Sequence, residues 1–166
     1  GKPINCYKES RKKVAENEEL NLLINALGLE DDIENLRYKK IIVATDADDD
    51  GMHIRMLVLT FFMKYYPDLI RRGHVYILQT PLFRVKNKKE VRYCYNIEEK
   101  DKAVSALKTG VEITRFKGLG EISSNEFEDF IGEGMRLDKV KLCDEETIAE
   151  IMEFSMCDNS IDRHNF

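Results

Sequence analysis

The sequence predicts an α/β protein: a mostly parallel sheet flanked by helices up to about residue 83, then a smaller mixed α/β region. Three observations carry that expectation. Ile41-Ile42-Val43-Ala44 is a short apolar run rich in β-branched residues, as in a strand buried on both faces of a parallel sheet. Ile54, Leu57, Val58, Phe61, Phe62 and Tyr65 then recur at helical spacing. Val75-Tyr76-Ile77-Leu78 follows Gly73 and reads as a second strand. Strand, helix and strand make one βαβ unit, for which sterics favour a right-handed crossover.

The remaining elements follow in order. Asn17 to Leu27 places Leu20, Leu23, Ile24 and Leu27 on one helical face, and Gly28 supplies a C-terminal stop. Lys40 to Thr45 holds the first strand, Asp46 to Gly51 a polar loop, and Pro67 interrupts the long helix. The texture changes after Pro81, and a boundary near residue 83 divides 1–83 from 84–166. Leu82 to Lys86 and Val91 to Tyr95 read as a strand pair with Lys86-Asn87-Lys88-Lys89 at the turn. Glu98 to Lys108 reads as a helix, and Ile113 to Lys117 as a strand leading into Gly118-Leu119-Gly120. Ser123 or Ser124 caps a helix running to Ile131, and Glu145 to Met156 forms a last helix. There is no internal repeat and no low-complexity segment.

Composition narrows the function classes. With 166 residues, 43% hydrophobic and 34% charged, the chain has the balance of a globular domain or two small ones. No apolar run reaches the roughly 20 residues of a membrane span, and no secretory signal opens the chain. Gly1-Lys2-Pro3-Ile4-Asn5 lacks an initiator Met and reads as the middle of a longer protein. Cys6, Cys94, Cys143 and Cys157 form no CxxC pair, against a zinc site or a disulfide scaffold and in keeping with a reducing cytoplasm. His53, His74 and His164 are equally dispersed. The net charge of -5 hides local concentrations. Acid gathers at Asp46 to Asp50, and at Glu145, Glu146 and Glu150; base gathers at Arg11-Lys12-Lys13, Arg71-Arg72, Lys86 to Lys89, and Arg115 with Lys117. A net-acidic chain still binds nucleic acid where basic groups share a face and cations offset the acid.

The acidic loop is the clearest chemical signal. Asp46, Asp48 and Asp50 alternate after a buried strand, and in an extended segment such positions point the same way. Three converging carboxylates repel one another, and a hard divalent cation such as Mg²⁺ relieves that conflict. Ligands of open α/β sheets bind beyond the carboxyl ends of the strands, where this loop falls. Asp49 has the opposite parity and should face solvent. The plainer alternative is an acidic cap on the next helix. An EF-hand is excluded because Leu57 stands where the bidentate Glu is required. An apolar strand followed by Asp-x-Asp also fits a haloacid-dehalogenase-like phosphatase, with Asp46 as nucleophile and Asp48 as acid/base. Asp50 departs from the Thr or Val of that pattern.

The full string Thr45-Asp46-Ala47-Asp48-Asp49-Asp50-Gly51-Met52-His53-Ile54-Arg55 resembles the TOPRIM signature of bacterial type IIA DNA topoisomerase B subunits. The resemblance continues through Leu59-Thr60-Phe61-Phe62, Arg72-Gly73-His74-Val75-Tyr76-Ile77, Pro81-Leu82-Phe83 and Arg115-Phe116-Lys117-Gly118-Leu119-Gly120-Glu121. It covers essentially the whole chain. The short connection between Tyr95 and Arg115 favours the topoisomerase IV branch over gyrases that carry a large insertion there. Asp46, Asp48 and Asp50 match the family's Mg²⁺-binding acids. Arg55 and Lys117 match positions expected to serve catalysis, and His53 belongs to the same signature string. Asp49 departs from the Val frequent in related proteins, and the Glu-Gly-Asp-Ser motif whose Glu completes the metal site would lie before Gly1.

The resemblance implies a TOPRIM-like fold in 1–83 and a C-terminal segment, 84–166, carrying the Lys-Gly-Leu-Gly-Glu turn. It implies part of an ATP-dependent type II enzyme that cuts both strands of a DNA duplex, passes another through and reseals. The attacking tyrosine belongs to the partner A subunit of an A2B2 heterotetramer. ATP acts at a separate N-terminal domain, so this segment is expected to be inactive alone. Mg²⁺ is the implied cofactor, double-stranded DNA and the A subunit the implied partners, and the bacterial cytoplasm, at the chromosome, the implied location. A non-catalytic DNA- or subunit-docking module is the alternative outside the enzyme class.

Overall fold

The structure, a computed structural model, describes residues 1–30, 32–132 and 134–142. The expected helix over Glu145 to Met156 lies outside the described residues. The helices are α1 (Arg11–Ala15), α2 (Glu18–Leu27), α3 (Asp49–Tyr65), α4 (Pro67–Arg71), α5 (Ile97–Leu107) and α6 (Ser124–Ile131). The strands are β1 (Ile41–Val43), β2 (Val75–Leu78), β3 (Phe83–Lys86), β4 (Val91–Cys94), β5 (Glu112–Arg115) and β6 (Leu137–Lys139). Two three-stranded sheets form, in the orders β1-β2-β6 and β4-β3-β5. The α/β class expected from sequence is what the chain adopts. In the first sheet the Ile41 N–H donates to His74 O at 2.7 Å, so β1 and β2 begin side by side. Gln79 N–H donates to Arg136 O and Val140 N–H to Val75 O, so β6 runs against β2. That antiparallel edge was not legible, because Leu137-Asp138-Lys139 is too short and polar to show strand character.

Two compact units result, one comprising 1–42, 54–76 and the described residues from 139 on, the other 43–53 and 77–138. In the first, the Asn17 side chain caps α2 by accepting from Leu20 N–H at 2.9 Å. Gly28 ends the helix at φ 76, a left-handed turn in which a Cβ would stand 2.7 Å from Asn35 O. Leu57, Leu59, Thr60, Phe61 and Phe62 of α3 are all buried, so burial is broader than one stripe. The buried Thr60 hydroxyl is satisfied by donating to Met56 O at 2.7 Å. Pro67 ends α3 and opens α4, a short helix the sequence reading did not include. Lys64 Nζ donates to Cys6 O at 2.6 Å, tying the N-terminal segment to the end of α3. Cys6 is fully buried, and burial pushes its thiol above the ordinary range. Cys6 and Cys94 are free thiols.

The second unit is built on the sheet β4-β3-β5, with β3 central and both pairs antiparallel. Opposed residues share a face: Phe83 lies opposite Cys94 and Arg115, and Arg84 opposite Tyr93 and Thr114. On one face Val85 and Cys94 pack with Ala103 and Leu107 of α5. Phe116, Ile122 and Phe130 form a second core, against which Tyr93 and Phe127 pack. The hairpin turn is held by Asn87, whose Oδ1 accepts from the Lys89 and Glu90 N–H groups at 2.8 and 2.9 Å. Ser123 and Glu126 form a reciprocal capping box at the start of α6, resolving the choice between Ser123 and Ser124.

Glu126 does two jobs. Besides closing that box, it accepts from Arg84 at 2.5 Å and from Tyr93 Oη at 3.1 Å, linking α6 to β3 and β4. The Arg84 guanidinium, then the Ser123 hydroxyl, hold its carboxyl down at about 2. A depressed carboxylate pKa contributes stability above the unfolded value and loses it as pH falls through the folded one. The contribution of Glu126 is therefore present above roughly pH 4.3 and fades toward about pH 2. Replacing Glu126 by Gln should cost about 1–3 kcal/mol at pH 7, read from urea midpoints, with a deficit that narrows steadily below pH 4. A deficit equal at pH 7 and pH 3 would show that the pairing is not its source.

Candidate functional site

The acidic loop leaves β1 at Val43 and reaches α3 within a few residues. α3 begins at Asp49, so the expected polar loop through Gly51 is shorter and the extended alternation stops before Asp50. The helix replaces a two-residue repeat by one of 3.6 residues, and the parity argument no longer orients Asp50. Asp46 is half-buried, while Asp48, Asp49 and Asp50 are exposed. Among the described residues, no group of three or more His, Cys, Asp or Glu side chains is gathered to hold an ion.

Two of the acids are fixed by backbone donors. Asp48 caps α3: its Oδ1 accepts from Gly51 N–H at 2.7 Å and its carbonyl from Met52 N–H at 2.9 Å. The first-turn acids Asp49 and Asp50 suit the positive end of the same helix. Asp46 Oδ1 accepts from Leu119 N–H at 2.7 Å. The glycine turn after β5 is thereby brought onto the acidic loop across 73 residues of chain.

Glycines make this approach possible. A Cβ on Gly51 would overlap the Asp46 carbonyl. One on Gly118 would stand 3.2 Å from all three atoms of the Asp46 carboxylate group. Gly120 by contrast has open space around it. Ala47, Thr80, Pro81, Lys117 and Leu119 are among the residues lining a shallow depression at this junction. Lys117 is exposed, and its backbone N–H donates to Glu121 Oε2 at 2.8 Å, which holds the turn closed. His53 is exposed and Arg55 half-buried on α3; Arg55 falls in the first unit and His53 in the second. The sequence reading singled out Lys117 and the aspartates but missed the bond from Leu119 N–H and the steric need for Gly51. The Gly after four near-continuous acids was the available signal for the latter.

The donor set fits a hard cation. Asp46 and Asp48 each commit one oxygen to a backbone N–H, and their second oxygens have no partner among the described residues. Mg²⁺ takes oxygen ligands, and one or two carboxylates suffice when water and phosphate complete the shell. The arrangement suits that mode and not a ready-made cage of three carboxylates.

Residues 3–80 match the family model of the Toprim domain. Over the whole chain the sequence is 54% identical to the B subunit of DNA topoisomerase 4 from Borreliella burgdorferi, of which it covers 28%. It is 40% identical to the B subunit of DNA gyrase from Thermus thermophilus, again over the whole chain and 28% of the relative. The chain thus spans little more than a quarter of the length of these curated relatives. The crystal structure of the DNA-binding, cleavage and re-ligation domain of Plasmodium falciparum topoisomerase II is similar in fold. Its TM-score is 0.78 at 24% identity, covering 99% of this chain and 24% of that one. Signature, fold and whole-length identity agree: the chain carries a Toprim domain over residues 3–80 and is similar along its whole length to the B subunits of DNA topoisomerase 4 and DNA gyrase.

Proposed function

We propose that this chain is the part of an ATP-dependent type IIA DNA topoisomerase B subunit that supplies Mg²⁺-binding acids for double-strand cleavage and religation. The observation that carries the reading is the Leu119 N–H to Asp46 bond, which joins the Lys-Gly-Leu-Gly-Glu turn to the acidic loop. The higher identity to a topoisomerase IV B subunit than to a gyrase B subunit supports that branch. Whole-length identity to topoisomerases also displaces the phosphatase alternative. In this reading 1–83 is the Toprim domain and 84–166 the segment that carries the turn.

Asp46 and Asp48 would give the cation its direct oxygens, and Asp50, in the first turn of α3, would be the third acid of the set. When bound, Mg²⁺ polarises the scissile phosphate and stabilises the leaving 3′ oxygen. Leu119 N–H fixes the rotamer of Asp46, leaving its second oxygen to face the ligand. Asp48 is fixed likewise by Gly51. The exposed Lys117 contacts phosphate beside them, and Arg55 is the second candidate catalytic side chain. The nucleophile is a tyrosine of the partner A subunit, in an A2B2 assembly on double-stranded DNA. ATP enters only through an N-terminal domain of the full subunit. The bacterial cytoplasm, at the chromosome, is the matching location; no helix among the described residues is long and apolar enough to cross a membrane.

Two experiments test this reading. Supercoiled plasmid should stay unrelaxed with this chain, Mg²⁺ and ATP, and should relax when full B subunit and A subunit are combined. Asp46→Asn in the full subunit should abolish relaxation. Metal-dependent nicking by the chain alone, lost in Asp46→Asn, would instead reveal a self-sufficient nuclease. In the second experiment, Gly118→Ala should displace the Asp46 carboxylate and lower relaxation by roughly tenfold or more. Gly120→Ala should leave it near wild type, since a Cβ there meets nothing within 4 Å. Equal effects of the two alanines would remove Asp46 positioning from the mechanism.

A further inference from the structure

A second group of charges lies around the start of β2 in the first unit, and its members on the β1 side come before that strand, where the acidic loop comes after it. Lys39 and Lys40 precede β1, Gly73 and His74 precede β2, and Lys139 and Lys141 stand at the end of β6 and just beyond. Hydrogen bonds hold these segments side by side. Ile41 N–H donates to His74 O at 2.7 Å, and His74 Nδ1 lies 2.9 Å from Lys39 O. On the other flank Val140 N–H donates to Val75 O at 3.0 Å. The Lys139 ammonium lies directly over Gly73, where a Cβ would collide with it. Gly73 sits at φ 79, so both conformation and space favour glycine there. The two strands that carry the lysines, β1 and β6, therefore flank one Gly-His centre about two strand spacings, roughly 10 Å, apart.

These lysines are exposed, and none has a carboxylate partner among the described residues. The neighbouring acids Glu34 and Asp68 are bonded to Arg72 at 2.6 Å and to Arg71 at 2.9 Å. Lys40 is held over the Tyr76 ring at 5.6 Å, which orders its stem and leaves its charge uncompensated by acid. On a chain of net charge -5, four unneutralised ammonium groups around one turn form a local positive field. Protein interfaces are depleted in Lys and centred on buried anchors. Here Tyr38, 54% exposed, and Ile42, 36% exposed, are the large apolar side chains nearest in sequence, and neither is a buried anchor. Lysines bonded to no acid suit phosphates instead.

We propose that Lys39, Lys40, Lys139 and Lys141, arranged around Gly73-His74, form a second duplex-DNA contact surface that binds backbone phosphates independently of the metal-binding acids. The proposal rests on the reading of the chain as part of a DNA-acting enzyme and adds a place where a duplex is held without chemistry.

The test is fluorescence anisotropy of a labelled 20-base-pair duplex with this chain, from 20 to 200 mM KCl without Mg²⁺. Lys39→Gln/Lys40→Gln/Lys139→Gln/Lys141→Gln should bind at least about tenfold more weakly at low salt. The slope of log affinity against log salt should become shallower by about 3.6, or 0.9 for each phosphate no longer neutralised. A charge-matched control, Lys88→Gln/Lys89→Gln/Lys100→Gln/Lys102→Gln, should change the slope by less than half as much. The corresponding quadruple Arg variant should keep the wild-type slope, which separates loss of charge from loss of fold. The proposal is overturned if the two Gln variants weaken binding equally, or if the wild-type chain binds no duplex at 20 mM KCl. It is also overturned if polyglutamate binds the same lysines as well as the duplex does, which would mark an acidic protein as the partner. Relaxation by the full enzyme with Asp46→Asn separates the two readings. Activity surviving that change defeats the metal-site reading and leaves this surface standing, whereas an unaltered salt slope defeats the surface alone.

Discussion

The bond from Leu119 N–H to the Asp46 carboxylate is the constraint on which the candidate site depends. An acidic loop after a buried strand is by itself a solvated cap, and one of its members, Asp48, does cap α3. The long-range bond gives Asp46 a fixed rotamer and sets the glycine turn against the loop. A charge-assisted bond from a backbone donor restrains a carboxylate more tightly than water does. It also leaves the other oxygen available to a cation. The approach is close enough that Gly118 must lack a side chain to avoid crowding the Asp46 carboxylate.

The turn is carried by the antiparallel sheet β4-β3-β5 and by α6. β5 delivers Arg115 and Phe116 to the start of the turn, and Phe116 anchors it by packing with Ile122 and Phe130. Arg84 and Glu126 close the same region from the sheet side, with Arg84 5.7 Å from the Phe116 ring. A charged pair next to an aromatic core is costly to leave half-satisfied, so both partners are needed once either is present. Glu99 and Arg136 repeat the device: the guanidinium bonds Glu99 at 2.7 Å and stacks 3.9 Å from the Tyr95 ring. Rigidity in the second unit thus comes from bidirectional use of a few carboxylates as well as from apolar packing.

Function follows from economy of roles. Asp48 is both helix cap and candidate ligand, and Gly51 both first-turn residue and spacer for the Asp46 backbone. The plain structural reading of the acidic loop and the metal reading are therefore compatible. A cap that consumes one carboxylate oxygen leaves a second, and Mg²⁺ asks for few protein ligands. The same chain gathers lysines around Gly73-His74 and acids after β1, so its net negative charge says little about how either patch behaves.

Local rules were legible in the sequence. Asn17 and Gly28 bracket α2, Asn87 holds its turn and Ser123 with Glu126 opens α6, because each of these bonds spans only a few residues. The apolar run of β1 and the helical spacing of α3 were equally plain, as was the signature that resembles the Toprim string. Short elements with mixed composition, α1, α4 and β6, were not, since five residues or fewer cannot display a period. The alternation of Asp46, Asp48 and Asp50 misled about orientation, because chain geometry changes from extended to helical at Asp49. The sequence by itself determined which residue types were available: oxygen donors after a strand, a glycine closing the acidic run, and a lysine directly before Gly118-Leu119-Gly120. Only the tertiary structure decided that Asp46 would meet Leu119, because that contact depends on how β5 returns to pair with β3, and no local propensity encodes a partner 73 residues away.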